Sequence, residues 1–332
     1  MKLLKLILLL LIFTSCKTNR EIILKKITGS IYETKTISNG KNSPAIDITK
    51  DSLDLFLIAL HYKMPYKEIA EYLKWDNLTK KRNTDILIKN GLLKAINNVY
   101  VPTLGIFPIE KGKKLIEKSH IISNQIAESI KVKLDVIKGI HSNLGISKNY
   151  SFYDLSFFYI IDILLDMGQI NNVEKEFLRE ERPLRNGNLY YCAILEKDTT
   201  KNTEPFGIYG NQGLLNNDTI YLGVYGNTRT ESNIGWRDYE NKEIHYFSKN
   251  DFDILINQMP NIILPTLISI LERNKSYIKK TYTELGYDEE MTFNEFFIWW
   301  YHFIYSETTN KLIKDNIIKK PKNGLLYYKI QK

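Results

Sequence analysis

Cysteine and histidine are scarce in this chain of 332 residues: Cys16 and Cys192, and His61, His120, His141, His245 and His302. No pair among them has the spacing of zinc ligands, so a structural zinc fold is not expected. Two cysteines allow a single bridge, and Cys16 has another use described below, so no intrachain disulfide is expected. Also missing are a glycine-rich phosphate loop, a strained serine elbow and a metalloprotease helix. No catalytic set, metal site or cofactor follows from the sequence. A long apolar run is missing as well. The N-terminal one, Leu6 to Phe13, has eight residues, against about 20 for a helix that spans a bilayer.

What is present is ordinary for a folded protein. Hydrophobic residues make up 43% and charged residues 25%, enough apolar surface for a packed core and too little charge for disorder. The net charge is +8, which favours anionic partners such as nucleic acid, phospholipid headgroups or acidic glycans.

The first residues, "MKLLKLILLLLIFTSC", join two lysines, the short apolar run and small residues before Cys16. This is the pattern of an export signal. "FTSC" resembles the lipobox of bacterial lipoproteins, with Phe13 where that family favours leucine. The resemblance implies cleavage before Cys16, a lipid on its thiol, and a folded part held outside the cytoplasm at the cell membrane or outer membrane. Residues 16–48 then read as a polar, basic tether, with "EIILKKI" as a short edge strand or lying along the fold.

From residue 49 the pattern becomes helical. Ser52 is the expected N-cap of "LDLFLIALHY", with Leu53, Phe56, Leu57 and Leu60 on one face. Pro65 suits the first turn of "YKEIAEYLK". Asp76 or Asn77 caps "LTKKRNTDILIKN", and Asn90-Gly91 stops it. Two short strands follow, joined at Asn97-Asn98. Residues 49–118 resemble the winged helix-turn-helix family. In a DNA-binding member the start of the third helix enters the major groove, which would offer Thr79, Lys80, Lys81, Arg82 and Asn83 to nucleic acid or another anion. Residues 50 to 118 carry thirteen Lys and Arg against eight Asp and Glu, an asymmetry suited to phosphate.

The remainder, 119–332, reads as helices with an antiparallel sheet, so the whole chain is expected to be α+β. It also reads as two passes of one pattern, over about 106–194 and 247–330. Ile122 and Gly145 are spaced as Ile263 and Gly286 are. Each pass has a second helix, a basic stretch, a proline (Pro183, Pro321), Asn-Gly (186–187, 323–324) and "LYY" (189–191, 326–328). Each should superpose as helix, helix, strand, with both glycines ending equivalent helices. Between the passes, "LYYCAILEK", "FGIYGN", "TIYLGVYGN" and "EIHYFS" read as strands.

Two further groups draw attention. Asp162 and Asp166, four apart on an apolar helix, have the spacing for acid–base work, although a wet helix edge or an arginine such as Arg182 or Arg185 explains them as well. Trp236 and Arg237, in "NIGWRDYENKE", are residues of the contact-making type on a loop. The expected function is a non-enzymatic, membrane-anchored binding protein of the cell envelope. Its partner would be a protein, a glycan or an anionic surface, because a protein outside the cytoplasm has no chromosome to read. The alternatives are a winged-helix DNA-binding regulator, and an envelope hydrolase using Asp162 or Asp166.

Overall fold

In a computed structural model the chain is α+β. It describes residues 20–38, 40, 42–198, 206–227, 229 and 242–332. Cys16, Trp236 and Arg237 lie outside the described residues. The chain divides into two compact units, each assembled from three stretches of sequence. The border expected at residue 118 falls inside a single long helix, Ile109–Val132.

Unit 1 comprises Met1–Ile109, Arg182–Pro205 and Gly286–Glu295. The stretch expected as a tether folds here. Residues 20–29 form helix α1, and Ile31–Ser38 forms strand β1. The strand was hidden among polar residues because one face of it needs little apolar surface. Its Tyr32, Thr34 and Thr36 alternate with charged neighbours, as a half-buried strand does. Helices α2 (Leu53–His61), α3 (Tyr66–Tyr72) and α4 (Asn77–Lys89) follow, then a hairpin of β2 (Leu93–Ile96) and β3 (Val99–Pro102). Asp76 caps α4 by accepting from the Thr79 amide at 2.7 Å, and Gly91 stops it at φ 63°. Asn97 and Asn98 turn the hairpin at φ 49° and 62°, the left-handed pair that a two-residue hairpin turn requires. Ser52 does not cap α2. Its own backbone is left-handed and its hydroxyl makes no cap bond.

Strand β4 (Gly105–Phe107), the two-residue β5 (Leu184–Arg185) and β6 (Asn188–Asp198) complete unit 1. β6 sits between β1, which is antiparallel to it, and β4, which is parallel. The core gathers Phe56, Leu57, Leu87, Ile106 and Ile194.

One buried cation ties the segments of this unit together. The Arg185 guanidinium donates to the carbonyls of Gly91, Thr103 and Tyr190 and to the Glu295 carboxylate at 2.7 Å. The other Glu295 oxygen accepts the Cys192 amide at 2.8 Å. The Cys192 thiol, a buried free cysteine, is pushed up to about 12 by burial and by the Glu295 charge. Nearby, His61 and Glu290 meet at 2.6 Å, both buried.

Unit 2 comprises Glu110–Glu181, Phe206–Leu285 and Phe296–Lys332. It contains α5 (Ile109–Val132), α6 (Leu134–Ser142) and α7 (Phe152–Phe157), which runs straight into a π-helical stretch, Phe158–Asp166. After the short α8 (Ile170–Val173) come strands β7 (Gly210–Asn216), β8 (Ile220–Gly226) and β9 (Ile244–Phe247). Helices α9 (Lys249–Arg273), α10 (Lys275–Glu284) and α11 (Phe293–Lys314) lead to the last strand, β10 (Leu325–Gln331). The sheet order is β7-β8-β10-β9, with β9 parallel to β10. The strands of 189–247 therefore do not make one antiparallel sheet: "LYYCAILEK" belongs to unit 1, and β9 pairs in parallel. The aromatic run on α11, from Phe296 to Tyr305, is buried on all sides.

β4, α5, α6, α7 and β6 follow one another with two π-helical stretches, α8 and β5 between α7 and β6, whereas β9, α9, α10, α11 and β10 follow without such insertions. Residues 133 and 274, which join the first two helices of each pass, have nearly the same backbone, φ −98°, ψ 4° and φ −95°, ψ 4°. Ser151 caps α7 through the Asp154 amide, and Thr292 accepts from the Glu295 amide in the same way. Two contacts in unit 2 answer each other. Asp251, in the first turn of α9, accepts the amides of Gly145 and Ile146 beyond α6; Lys111, in the first turn of α5, donates to the Leu285 carbonyl at the end of α10. The likeness has limits. Gly286 ends α10 at φ 73°, whereas Gly145 lies past the end of α6, where a side chain would crowd the Asp251 carboxylate at 3.2 Å. Counted from the parallel partner, Phe107 faces Leu195 and Phe247 faces Ile330. The two "LYY" motifs are therefore two residues out of register, which keeps each tyrosine on the same face.

Replacing Glu295 by Gln removes the charge that compensates Arg185 in a buried site. The expected cost is about 3–5 kcal/mol of unit 1 stability, the range for breaking a buried pair. Chemical denaturation measures it. Lys81→Ala, at the exposed pair with Asp85, should leave the midpoint where it is.

Candidate functional site

Asp162 and Asp166 are buried in unit 2, and among the described residues neither is paired with an arginine. The wider π turn is set by bonds such as Met167 N–H to the Asp162 carbonyl, five residues back, at 2.7 Å. One Asp162 carboxyl oxygen accepts from the Asn211 amide at 2.8 Å; that amide also donates to the Tyr328 hydroxyl at 2.6 Å. The other Asp162 oxygen has no hydrogen-bond partner. Burial, and then the neighbouring Asp166, lift Asp162 well above the usual carboxylate range, against the Asn211 bond. Burial lifts Asp166 to about 7, with the hydroxyls of Tyr305 and Tyr225 opposing. Burial and the neighbouring acid thus favour the protonated form of Asp162. Its surroundings hold a proton well, but the group is fully buried, so a substrate has no access to it in this conformation.

The residues read from the third helix are divided. Asn83 is fully buried. Arg82 is paired with Asp51 at 3.0 Å, and Lys81 with Asp85 at 2.5 Å. Thr79 gives its amide to the cap of its own helix. Lys80 is half-buried. Of the five, Asn83 is closed off by burial, whereas Lys81 and Arg82 stay exposed in surface ion pairs.

One open polar site was not singled out from the sequence. In unit 2 a cleft of about 510 Å³ lies between the start of β9 and the turn that leads into β10. Lys242, Glu243 and His245 form one wall; Lys319, Lys320, Lys322 and Asn323 form the other. Leu325, Leu326 and Tyr327 supply apolar surface. The turn is shaped by Pro321 and by Asn323 and Gly324 at φ 59° and 73°. Lys319 donates to Asp154 at 2.6 Å, which with the Ser151 hydroxyl holds Asp154 at about 2. The signal was the run "KKPKNG" itself, which reads more simply as a solvated turn.

Among the described residues, no group of three or more His, Cys, Asp or Glu is placed to hold a metal ion.

The acid pair makes unit 2 sensitive to pH in a defined sense. An acid raised by folding is most favourable to the fold when protonated, so its cost is absent below the unfolded value and grows as pH rises toward the folded one. For Asp166 that window runs from 3.8 to about 7, and full ionisation costs about 4 kcal/mol by linkage. Thermal unfolding at pH 5 and pH 8 should show the loss, and Asp166→Asn should flatten the difference. Compared with known family models, curated proteins and solved structures, the chain matches none, so its chemistry is argued from its own residues.

Proposed function

We propose that the protein is a lipid-anchored, non-enzymatic binding protein of the bacterial cell envelope. The anchor rests on the N-terminal pattern ending at Cys16. Two or more acyl chains would hold the chain at the membrane, where one alone anchors only marginally. The observation that carries the binding role is the open lysine cleft of unit 2 beside the sealed acid pair. Asp162 and Asp166 are buried, whereas the cleft offers several ammonium groups, with Glu243 and His245 beside them. The hydrolase reading loses its substrate path. The regulator reading loses support from the pairing of Arg82 with Asp51 and Lys81 with Asp85 and from the burial of Asn83. The lipobox resemblance also weighs against it.

We also propose that the recurring strand–helix–helix–helix–strand order marks two copies of one ancestral unit, preceded by a winged-helix-like segment. The like backbone at 133 and 274 and the answering contacts of Asp251 and Lys111 support the duplication. The segment's order of three helices and a hairpin supports the likeness to winged helices.

Mass spectrometry of the native N-terminus should find Cys16 modified with lipid and residues 1–15 absent. Cys16→Ala should move the protein out of the membrane fraction. An unprocessed Met1 in a soluble pool would overturn the anchor.

Duplex binding measured across salt should show weak affinity that falls as salt rises, since basic groups release counterions from any phosphate polymer. Specific and scrambled duplexes should bind alike. A preference of about 10³ or more, the low end for specific binders, would restore the regulator.

A further inference from the structure

The turn that lines the lysine cleft has a counterpart in unit 1, and the two have opposite fates. Both consist of a proline, a basic residue and Asn-Gly before the last strand of a pass: Pro183, Arg185, Asn186 and Gly187, then Pro321, Lys322, Asn323 and Gly324. Both Asn-Gly pairs are left-handed, at φ 48° and 85° and at 59° and 73°. In unit 1 the basic side chain is used up by the fold. Arg185 is 2% exposed, with three carbonyls and Glu295 around it. That is how such a turn looks when its charge is structural.

In unit 2 the charge is left over. Lys319 has its acid in Asp154, but Lys320 and Lys322 are exposed and neither has an ion pair among the described residues. Lys242 comes from the opposite wall, with its ammonium 5.9 Å from the centre of the Tyr327 ring. Once Lys319 and Asp154 are matched, three ammonium groups share the cleft with one carboxylate, Glu243. His245 adds no charge at neutral pH, because burial lowers its pKa. Its Nδ1 lies 3.3 Å from the Tyr327 carbonyl, which directs that proton inward.

We propose that this cleft binds the dianion of a phosphate monoester, through Lys242, Lys320 and Lys322. A surplus of two positive charges matches a dianion, and a single carboxylate would leave one unmatched. Lysine binds phosphate as a compact point charge with three donors. The volume, about 510 Å³, is in the range of small-molecule sites and far larger than a bare phosphate requires. The cleft leaves room for the remainder of the ligand, with the exposed Glu243 as acceptor for a hydroxyl. A lipid headgroup and a soluble phosphate ester share this chemistry. The proposal does not depend on lipid at Cys16.

The test uses the full chain and two probes: glycerol 3-phosphate followed by titration calorimetry, and phosphatidylcholine vesicles with and without phosphatidic acid followed by flotation. Saturable binding of either probe supports the site, and the probe that binds names the source. Lys320→Gln/Lys322→Gln should weaken that binding by about tenfold or more, as loss of two charge-assisted contacts does. Both lysines are exposed, and an unchanged thermal midpoint checks that the variant is folded. Lys67→Gln/Lys74→Gln, which removes the same charge from unit 1, should bind like the wild type. Three results would overturn the proposal: no binding of either probe at about 10 mM phosphate, a tenfold range above the weak limit of about 1 mM; equal binding by the Lys320/Lys322 variant; or equal weakening in the unit 1 control.

Discussion

Unit 1 depends on a single guanidinium. Three stretches of chain far apart in sequence meet there, and Arg185 accounts for much of why they meet in one arrangement. Its donors reach the end of α4 at Gly91, the strand approach at Thr103, β6 at Tyr190 and the start of α11 at Glu295. A lysine has three donors and no planar fork, and would leave part of this set without a partner. Such a pair is a poor source of net stability, because removing two charges from water is costly. Its value here is selective: an arrangement that misplaced any of these carbonyls would leave a buried cation under-satisfied. Glu295 works at two levels, since it follows the cap residue Thr292 and also fixes the Cys192 amide in β6.

The acid in the first turn of a helix is used the same way in unit 2. Asp154 follows the cap residue Ser151 of α7 and receives Lys319 from the turn before β10. Its pair differs from Arg185–Glu295 in exposure, and that difference carries the energetics. A buried pair must be complete, since either charge alone is ruinous. A pair at the rim of a cleft is screened and can tolerate surplus lysines beside it. Similar turns, capped similarly, thus give a closed clasp in one unit and an open, positively charged cleft in the other.

Local chemistry made much of this legible in the sequence. Asp76, Gly91 and the Asn97-Asn98 turn act where their side chains and allowed backbone predict, because caps and tight turns are decided within a few residues. Ser52 shows the limit: the residue type is right, but its left-handed backbone turns the hydroxyl away from the helix. What spans many residues was less visible. β1 reads as tether because none of its residues is fully buried, so the strand needs few apolar side chains. The parallel pairings of β4 with β6 and β9 with β10 depend on contacts across whole helical crossovers. Periodicity at 3.6 residues does not distinguish a π-helical stretch from an α-helix, so the environment of Asp162 and Asp166 could not be read.

Those two acids also separate a perturbed carboxyl from a catalytic one. Spacing of four on an apolar helix suggested either chemistry or a wet edge, and the fold takes neither course. The pair is enclosed by Asn211 and by the hydroxyls of Tyr225, Tyr305 and Tyr328. Burial raises both acids, and the Asp166 charge adds to it at Asp162, as burial and like charge do in many active sites. Catalysis also needs a path for substrate, and none reaches a fully buried Asp162. A neutral acid costs far less to bury than a charged one, so the raised values are how unit 2 accommodates two carboxyls inside an apolar helix. Lys320 and Lys322 stand exposed at the cleft instead. Accessible charge without a matching counter-charge, rather than a displaced pKa, distinguishes the cleft from the acid pair.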